Sequence, residues 1–169
     1  MRNIEFKAEL RDRAMARAAL RKLGASPILE MRQTDTYYNV PSGRLKKREC
    51  PGEPTEWVQY DRPHDASPKA SDFSIYTERE AKERFGEAPL PVWLVVSKVR
   101  ELYMLANCRI HLDIVEDLGE FLEVEALVSK DHPEDRCREA VREILDALRP
   151  ALGEMIGVGY ADLLAARAC

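Results

Sequence analysis

The stretch Asn3-Ile4-Glu5-Phe6-Lys7-Ala8-Glu9 alternates strictly between polar and apolar side chains. A period of two is that of a β-strand with two different faces, here one ionic and one apolar. An ordinary half-buried strand turns its polar face to water and needs no charged partner there. In this chain charged residues again occupy every second position in the later strand-like runs. In most of these runs their charge is opposite to that of the glutamates in the first. We therefore predict that the ionic face of each strand points inward.

Strand-like runs continue along most of the chain, separated by turn residues such as Pro41-Ser42-Gly43. Further strands are predicted over residues 28–40, 44–49, 56–62, 71–77, 91–105, 107–116 and 121–126. A sheet is therefore the main element of the fold. Its apolar parity is expected to pack against helices, since a sheet face of this kind must be covered.

The first helix is expected to begin after an N-cap at Asp12 and to end at Gly24 in the C′ position. Its core-facing positions are predicted to be Met15, Ala19 and Leu23, which follow one another at four-residue spacing. The remaining expectations are helices over 78–87 and 133–148, a short closing helix from residue 160, and loops over 64–70 and 153–159.

Length and composition limit the class of protein. The 169 residues suit one domain, 1–169, and 45% hydrophobic content is ordinary for a protein that buries a core. A net charge of −4 argues against general binding of nucleic acid or of anionic membranes. No apolar run reaches the roughly 20 residues of a membrane span. The four cysteines are far apart without metal-site spacing, so free thiols and a cytoplasmic location are expected.

The inward parity carries an excess of positive charge. If the sheet closes into a barrel, one parity of each strand lines the interior. Eight cations are then expected inside, namely Lys7, Arg44, Lys46, Arg48, Arg62, Lys98, Arg100 and Arg109. The five acids expected there are Glu5, Glu9, Asp113, Glu123 and Glu125. Burying unpaired ions costs several kcal/mol each, so water, a ligand or ion pairing must solvate them.

The two kinds of charge suit one kind of ligand. Arginine binds phosphate oxygens through paired hydrogen bonds and lysine binds them as a point charge. Carboxylates such as Glu5, Glu123 and Glu125 repel phosphate but can hold Mg²⁺ or Mn²⁺. A small triphosphate with a divalent metal satisfies both halves. The chain has no GxxxxGK[ST] loop, so a backbone phosphate cradle is not expected.

Several motifs, in the same order along nearly the whole chain, resemble the CYTH family, also called triphosphate tunnel metalloenzymes. They are Asn3-x-Glu5-x-Lys7, Arg44-Leu45-Lys46-Lys47-Arg48-Glu49, Lys98-x-Arg100, Arg109-Ile110-His111-Leu112-Asp113, Phe121-x-Glu123-x-Glu125 and the closing Tyr160-Ala161-Asp162-Leu163-Leu164. The resemblance is closest to the subgroup that includes class IV adenylyl cyclases. It implies an α+β fold in which an eight-stranded antiparallel barrel, open at both ends and with helices outside, holds a triphosphate.

The resemblance also implies roles for individual residues. Glu5, Glu123 and Glu125 would be metal ligands, and Asp113 would support the metal or its water. The eight inward cations would bind phosphate, and Lys7, Lys98, Arg100 and Asp113 would take part in catalysis. One position departs from the family's ExExK pattern, because Asn3 replaces its first glutamate. An amide keeps an oxygen ligand but loses a charge, which should weaken metal binding.

Three functions remain open from the sequence. The first is a metal-dependent hydrolase of ATP, thiamine triphosphate or tripolyphosphate. The second is a class IV-like adenylyl cyclase, in which the 3′-hydroxyl of ATP attacks the α-phosphate. The third is a non-catalytic binder of triphosphate or polyphosphate that has lost turnover through Asn3. The oligomeric state is also open, a homodimer being one alternative.

Overall fold

The computed structural model describes residues 1–61 and 66–168. The strands in these ranges are β1 Arg2–Leu10, β2 Ser26–Tyr38, β3 Arg44–Glu49, β4 Glu56–Asp61, β5 Lys69–Tyr76, β6 Val92–Leu105, β7 Cys108–Val115, β8 Gly119–Leu127 and β9 Leu152–Met155. The helices are α1 Arg13–Leu23, α2 Glu78–Phe85, α3 Glu134–Leu148 and α4 Tyr160–Arg167. None of the described helices has the length and apolar composition needed to cross a membrane.

Eight strands close into an antiparallel barrel. Their order around it is β1, β8, β7, β6, β2, β3, β4 and β5, and β5 pairs back onto β1. The closing register joins Arg2 to Asp72 and Glu5 to Lys69. The predicted α+β barrel with helices outside is therefore confirmed.

The main core lies between the outside of the barrel and the helices. On one side are the apolar parities of β1, β7 and β8, and on the other are buried residues of α1 and α3. The largest of these fully buried side chains are Ile4, Phe6, Leu20, Ile110, Leu112, Leu122, Val124, Ile144 and Leu148. Each contributes about 1.5–3 kcal/mol when it leaves water. Burying this parity outside obliges the ionic parity to face the barrel interior.

Helix α1 has the predicted ends but a different buried face. Its Asp12 carboxylate accepts a hydrogen bond from the Met15 backbone N–H at 2.8 Å, and Gly24 adopts a left-handed φ of 80°. Met15, however, is 45% exposed, whereas Ala16 and Leu20 are fully buried. The four-residue spacing was right, but the fully buried stripe is displaced by one position, while the predicted Ala19 packs against the core partly buried.

Two predicted loops are partly strand. Strand β9 overlaps the start of the predicted loop 153–159 and pairs with β1, at Ala8 with Met155 and at Leu10 with Leu152. Strand β5 begins at Lys69, inside the predicted loop 64–70. Both segments owe their conformation to hydrogen bonds with β1, a partner distant in sequence, so local pattern could not reveal them.

Candidate functional site

The interior of the barrel is a cavity of about 250 Å³. Nine of the residues that the sequence singled out line it: Glu5, Lys7, Lys46, Arg48, Lys98, Arg100, Arg109, Glu123 and Glu125. Asn3 also lines it and is only 7% exposed. Strand alternation thus brings charges from β1, β3, β6, β7 and β8 into one space.

Three of the expected interior residues that the structure describes, Arg44, Asp113 and Glu9, do not line this cavity. The Arg44 guanidinium donates a hydrogen bond to Asp162 of α4 at 2.8 Å. Asp113 is fully buried behind the cavity wall. The expectation that Glu9 lines the interior is wrong, because its partly exposed carboxylate accepts from the backbone N–H of Glu154. Arg62 lies outside the described residues.

The centre of the cation cluster is a carboxylate that the sequence did not single out. Asp35 of β2 is 1% exposed. It accepts hydrogen bonds from three side chains on β3 and β6, at 3.0 Å from Lys46, 2.8 and 2.9 Å from Arg48, and 2.8 Å from Lys98. Burial would raise the pKa of Asp35, but these cations outweigh it and hold the pKa well below its usual range.

One carboxylate cannot neutralise three cations, and the missing negative charge is reflected in the lowered pKa values of the two lysines. Burial, together with the charge of Arg48, lowers the pKa of Lys46 to about 7. Burial lowers the pKa of Lys98 to about 8, against the attraction of Asp35. This part of the cavity therefore lacks negative charge, and an anionic ligand would supply it.

A second ion cluster joins β1, β6, β7 and β8. Glu123 accepts hydrogen bonds from Lys7 at 2.9 Å and from Arg100 at 2.8 Å. Arg100 also binds both oxygens of Asp113 at 2.7 Å, and the Tyr160 hydroxyl donates to the same carboxylate at 2.7 Å. Burial opposes ionisation of Glu123, yet Lys7 and Arg100 hold its pKa well below the ordinary value. Asp113 thus fixes the guanidinium plane of Arg100.

Glu123 of this cluster and the acidic residues beside it fit a divalent metal. Ligand atoms of His111, Glu123 and Glu125 lie within 4.8 Å of one another. Glu5 is directly opposite Glu125 in the β1–β8 register and lines the same cavity. The buried Nδ1 atom of His111 has no hydrogen-bond partner among the described residues and lies 3.7 Å from Glu123. Carboxylate oxygens suit Mg²⁺ and Mn²⁺, and an imidazole nitrogen is compatible with Mn²⁺.

Gly157 and the first turn of α4 lie at one end of the barrel. The Lys69 ammonium of β5 donates to the Gly157 carbonyl at 2.7 Å, and Arg44 of β3 reaches Asp162. The Tyr160 ring lies 4.3 Å from Nζ of Lys7 and packs against other residues of the wall. These contacts with β1, β3 and β5 place residues 157–162 at one end of the barrel.

Some of these features carried a sequence signal and others did not. Asp35 stands in Thr34-Asp35-Thr36-Tyr37-Tyr38, where both parities are polar or aromatic, so alternation does not select a face. Its role depends on the β2–β3 register, which places Asp35 opposite Arg48. Tyr160 was noted as part of a closing motif, but only the fold brings it to Asp113.

Comparison with known proteins agrees with the fold. Over 179 aligned residues the chain is 28% identical to a protein of Methanocaldococcus jannaschii named "putative adenylate cyclase", and the alignment covers 96% of this chain and 98% of the relative. The PH1012 protein of Pyrococcus horikoshii superposes with a TM-score of 0.73 at 22% identity, over 95% of this chain and 98% of that one.

A third similar protein carries two activities in its description. HpAC1 of Hippeastrum, called a "putative adenylyl cyclase" with a dominant triphosphatase activity, superposes with a TM-score of 0.65 at 14% identity. The superposition covers 99% of this chain and 96% of that one. At this identity the likeness is one of fold. The CYTH domain family model matches residues 1–157. With the closed barrel and its charged interior, that match establishes that the chain belongs to the CYTH domain family.

Proposed function

We propose that this protein is a divalent-metal-dependent enzyme that binds a small triphosphate inside the barrel and hydrolyses a phosphoanhydride bond. The observation that carries the proposal is the composition of one cavity. Within the described residues its wall holds six cations, Lys7, Lys46, Arg48, Lys98, Arg100 and Arg109. The same wall holds Glu5, Glu123 and Glu125 on one side. A triphosphate with a metal ion matches both charges.

Phosphate binding uses cations that internal carboxylates already hold in place. Asp35 keeps Lys46, Arg48 and Lys98 together before a ligand arrives. These three carry more positive charge than Asp35 can balance, so phosphoryl oxygens add contacts to the cluster. Because the donors are fixed in advance, little reorganisation is needed when charge develops on the phosphate.

The second cluster stands where the bond is cleaved. Lys7 and Arg100 converge on Glu123, and Asp113 orients Arg100 from behind. In the proposal Lys7 and Arg100 stabilise the transferring phosphoryl group, together with Lys98. Arg109, opposite Glu125 in the strand register, extends the cationic side along the wall. Asp113 is a positioning residue in this arrangement, since its oxygens already accept from Arg100 and Tyr160.

The metal would be held by Glu5, Glu123 and Glu125. Mg²⁺ or Mn²⁺ bound there supplies Lewis-acid stabilisation of phosphoryl charge. The chain's own part is to provide oxygen ligands on two paired strands and to exclude bulk water where Tyr160 packs beside Asp113. Low effective dielectric inside the barrel strengthens each of these electrostatic contacts.

A second candidate is an adenylyl cyclase. The relative from Methanocaldococcus jannaschii bears that name, and the Hippeastrum protein carries both the cyclase name and a triphosphatase activity. Both reactions use the same contacts to a triphosphate. They differ in the phosphorus presented to the nucleophile, which is water in one case and the 3′-hydroxyl of ATP in the other.

The deciding experiment measures products from three substrates. The purified protein is incubated with ATP, thiamine triphosphate and tripolyphosphate, each with Mg²⁺ and with Mn²⁺, and orthophosphate, pyrophosphate and cyclic AMP are measured. Orthophosphate release without cyclic AMP is expected. Cyclic AMP with pyrophosphate from ATP would establish the cyclase instead. Tight binding of all three without products would favour the non-catalytic binder.

A further inference from the structure

His111 of β7 carries a buried ring nitrogen that makes no hydrogen bond. The side chain is 4% exposed, and its Nδ1 atom has no partner among the described residues. The β7–β8 register places His111 directly opposite Glu123, on the strand face that Arg109 and Glu125 share with the cavity. A buried polar atom without a partner costs roughly 1–3 kcal/mol. Such an atom in a native fold therefore calls for an explanation.

The distance from this nitrogen to Glu123 is too long for a hydrogen bond. Nδ1 of His111 lies 3.7 Å from Oε2 of Glu123, whereas N–H···O bonds in proteins span about 2.7–3.2 Å. Two ligand atoms that each lie about 2.1 Å from one metal ion are about 3.0–4.2 Å apart, depending on the angle between them. The separation of the two atoms falls within that interval. The geometry therefore suits a cation that both residues bind.

Glu123 can accept a metal although two cations already contact it. Lys7 donates a hydrogen bond to its Oε1 atom at 2.9 Å, and Arg100 donates one to Oε2 at 2.8 Å. An ionised carboxylate has about four lone-pair sites, so each oxygen can make one more contact. Glu125, the next residue on this face of β8, brings a ligand atom within 4.8 Å of those of His111 and Glu123. One nitrogen and two carboxylates are therefore grouped on two adjacent strands.

We propose that His111 is a nitrogen ligand of the metal and makes the site prefer a first-row transition-metal ion such as Mn²⁺ to Mg²⁺. This inference rests on the proposed metal-dependent function and assigns the class of ion that it uses. Mg²⁺ takes oxygen ligands and dehydrates reluctantly, whereas transition-metal ions accept imidazole. Asn3 in place of a carboxylate leaves the site with one negative charge fewer. A neutral nitrogen offsets that loss for a transition-metal ion and does little for Mg²⁺.

The test observes the bound metal and does not depend on turnover. Pulsed EPR of Mn²⁺ on the purified protein detects a directly coordinated nitrogen by its nuclear modulation. The unaltered protein should show this coupling, and labelling with ¹⁵N-histidine should replace the ¹⁴N pattern. His111→Gln should lose the coupling, because its amide offers an oxygen instead. The matched control is His132→Gln, which replaces a half-buried histidine in the bend before α3 and should keep the coupling.

The preference between ions is measured on the same proteins. Mn²⁺ affinity is followed by the EPR signal of the free ion, and Mg²⁺ affinity by competition with Mn²⁺. His111→Gln is expected to bind Mn²⁺ about tenfold more weakly, with Mg²⁺ affinity changed by no more than about threefold. His132→Gln should bind both ions as the unaltered protein does. Thermal unfolding without metal reports on the fold of each variant.

Three results would overturn the inference while metal binding stands. They are bound Mn²⁺ without nitrogen coupling in the unaltered protein, a coupling that persists in His111→Gln, and an equal change in affinity for both ions. If His111→Gln does not fold, the labelled unaltered protein and His132→Gln decide, since a coupling that is absent or that His132→Gln removes would exclude His111. Failure of the unaltered protein to bind either ion, with and without tripolyphosphate, would instead overturn the proposed function.

Discussion

The ammonium nitrogen of Lys98 lies 2.8 Å from Oδ2 of Asp35, and both side chains are 1% exposed. Lys46 and Arg48 share the same carboxylate. Such a group is costly to disturb, because a buried ion that loses its partner cannot recover its hydration. Asp35 is therefore both a structural counter-ion and the group whose charge a bound phosphate would supplement.

Asp35→Asn should destabilise the protein and should increase the stabilisation that bound tripolyphosphate provides. Removing the shared charge leaves the buried Lys98 and the partly buried Lys46 and Arg48 without their ionic partner, at a cost of about 3 kcal/mol or more in the free energy of unfolding. Tripolyphosphate should restore the melting temperature more strongly than in the unaltered protein, since it replaces the missing charge. Thermal unfolding with and without tripolyphosphate measures both effects.

A suitable control is Asp72→Asn. Asp72 also forms a two-bond ion pair, with Arg2, but those side chains are 61% and 46% exposed. Exposed pairs contribute at most about 1 kcal/mol. If Asp35→Asn unfolded as late as this control, Asp35 would not organise the cations as described.

Triphosphate binding should take up protons at pH 8. The pKa values of Lys46 and Lys98 are about 7 and about 8 in the folded protein, below the ordinary 10.5. A bound polyanion favours their charged forms and raises both pKa values, so about one proton should enter at pH 8. Calorimetry of tripolyphosphate binding in two buffers of different ionisation enthalpy measures this uptake. Binding enthalpies that do not depend on the buffer would contradict it.

The same two lysines predict how the free energy of unfolding of the ligand-free protein depends on pH. Between about pH 7 and 10.5 the unfolded chain binds more protons at these sites than the folded chain does. Their contribution to the free energy of unfolding must therefore rise with pH in this window. Below about pH 7 the lysines are charged in both states and the full burial penalty applies. Lys46→Met should flatten part of this dependence, which denaturant unfolding at several pH values would reveal.

How much was predictable depends on whether a feature is local. Glu5 and Lys7 are two residues apart on one strand, and so are Glu123 and Glu125, so a short stretch of sequence suffices to predict that each pair shares a face. All four side chains line the cavity. The position of Asp35 depends on strand register, and register is set by packing of the whole sheet. The sequence pattern therefore predicts which charged residues point inward. It does not predict which of them form ion pairs, because that depends on the register.

The position of Val58 in the cavity lining could not be predicted from local pattern either. Val58 and Tyr60 share a strand face by alternation, but a hydrophobic residue on a strand usually marks the outer, core-facing side. Its position inside follows from the pairing of Val58 with Ile75 and from the closure of β5 on β1. Closure of the barrel joins strands that are far apart in the chain, so the periodicity of a local stretch of sequence cannot predict it.

Lys98→Met should abolish turnover without unfolding the barrel. Asp35 keeps Lys46 and Arg48 as partners, so the carboxylate stays paired. Loss of one cation that contacts transferring phosphate typically costs about 100-fold or more in rate. Lys47→Met on the outer face of β3 is the control and should leave kcat unchanged, since Lys47 pairs with Glu49 there. Normal turnover of Lys98→Met would remove Lys98 from the site.

Asn3→Glu should strengthen metal binding. Asn3 lines the cavity on the same face as Glu5 and is 7% exposed, so a glutamate there adds a carboxylate to the proposed ligands. Mn²⁺ affinity, followed by the loss of the free-ion EPR signal, should rise about tenfold, which corresponds to about 1.4 kcal/mol. The melting temperature without metal should fall, because the new charge repels Glu5, and Mn²⁺ should restore it. Asn3→Gln has nearly the same size without the charge and should change neither quantity. If the Glu and Gln variants bound Mn²⁺ equally, the presence of Asn3 in place of the family's glutamate would have no effect on metal binding.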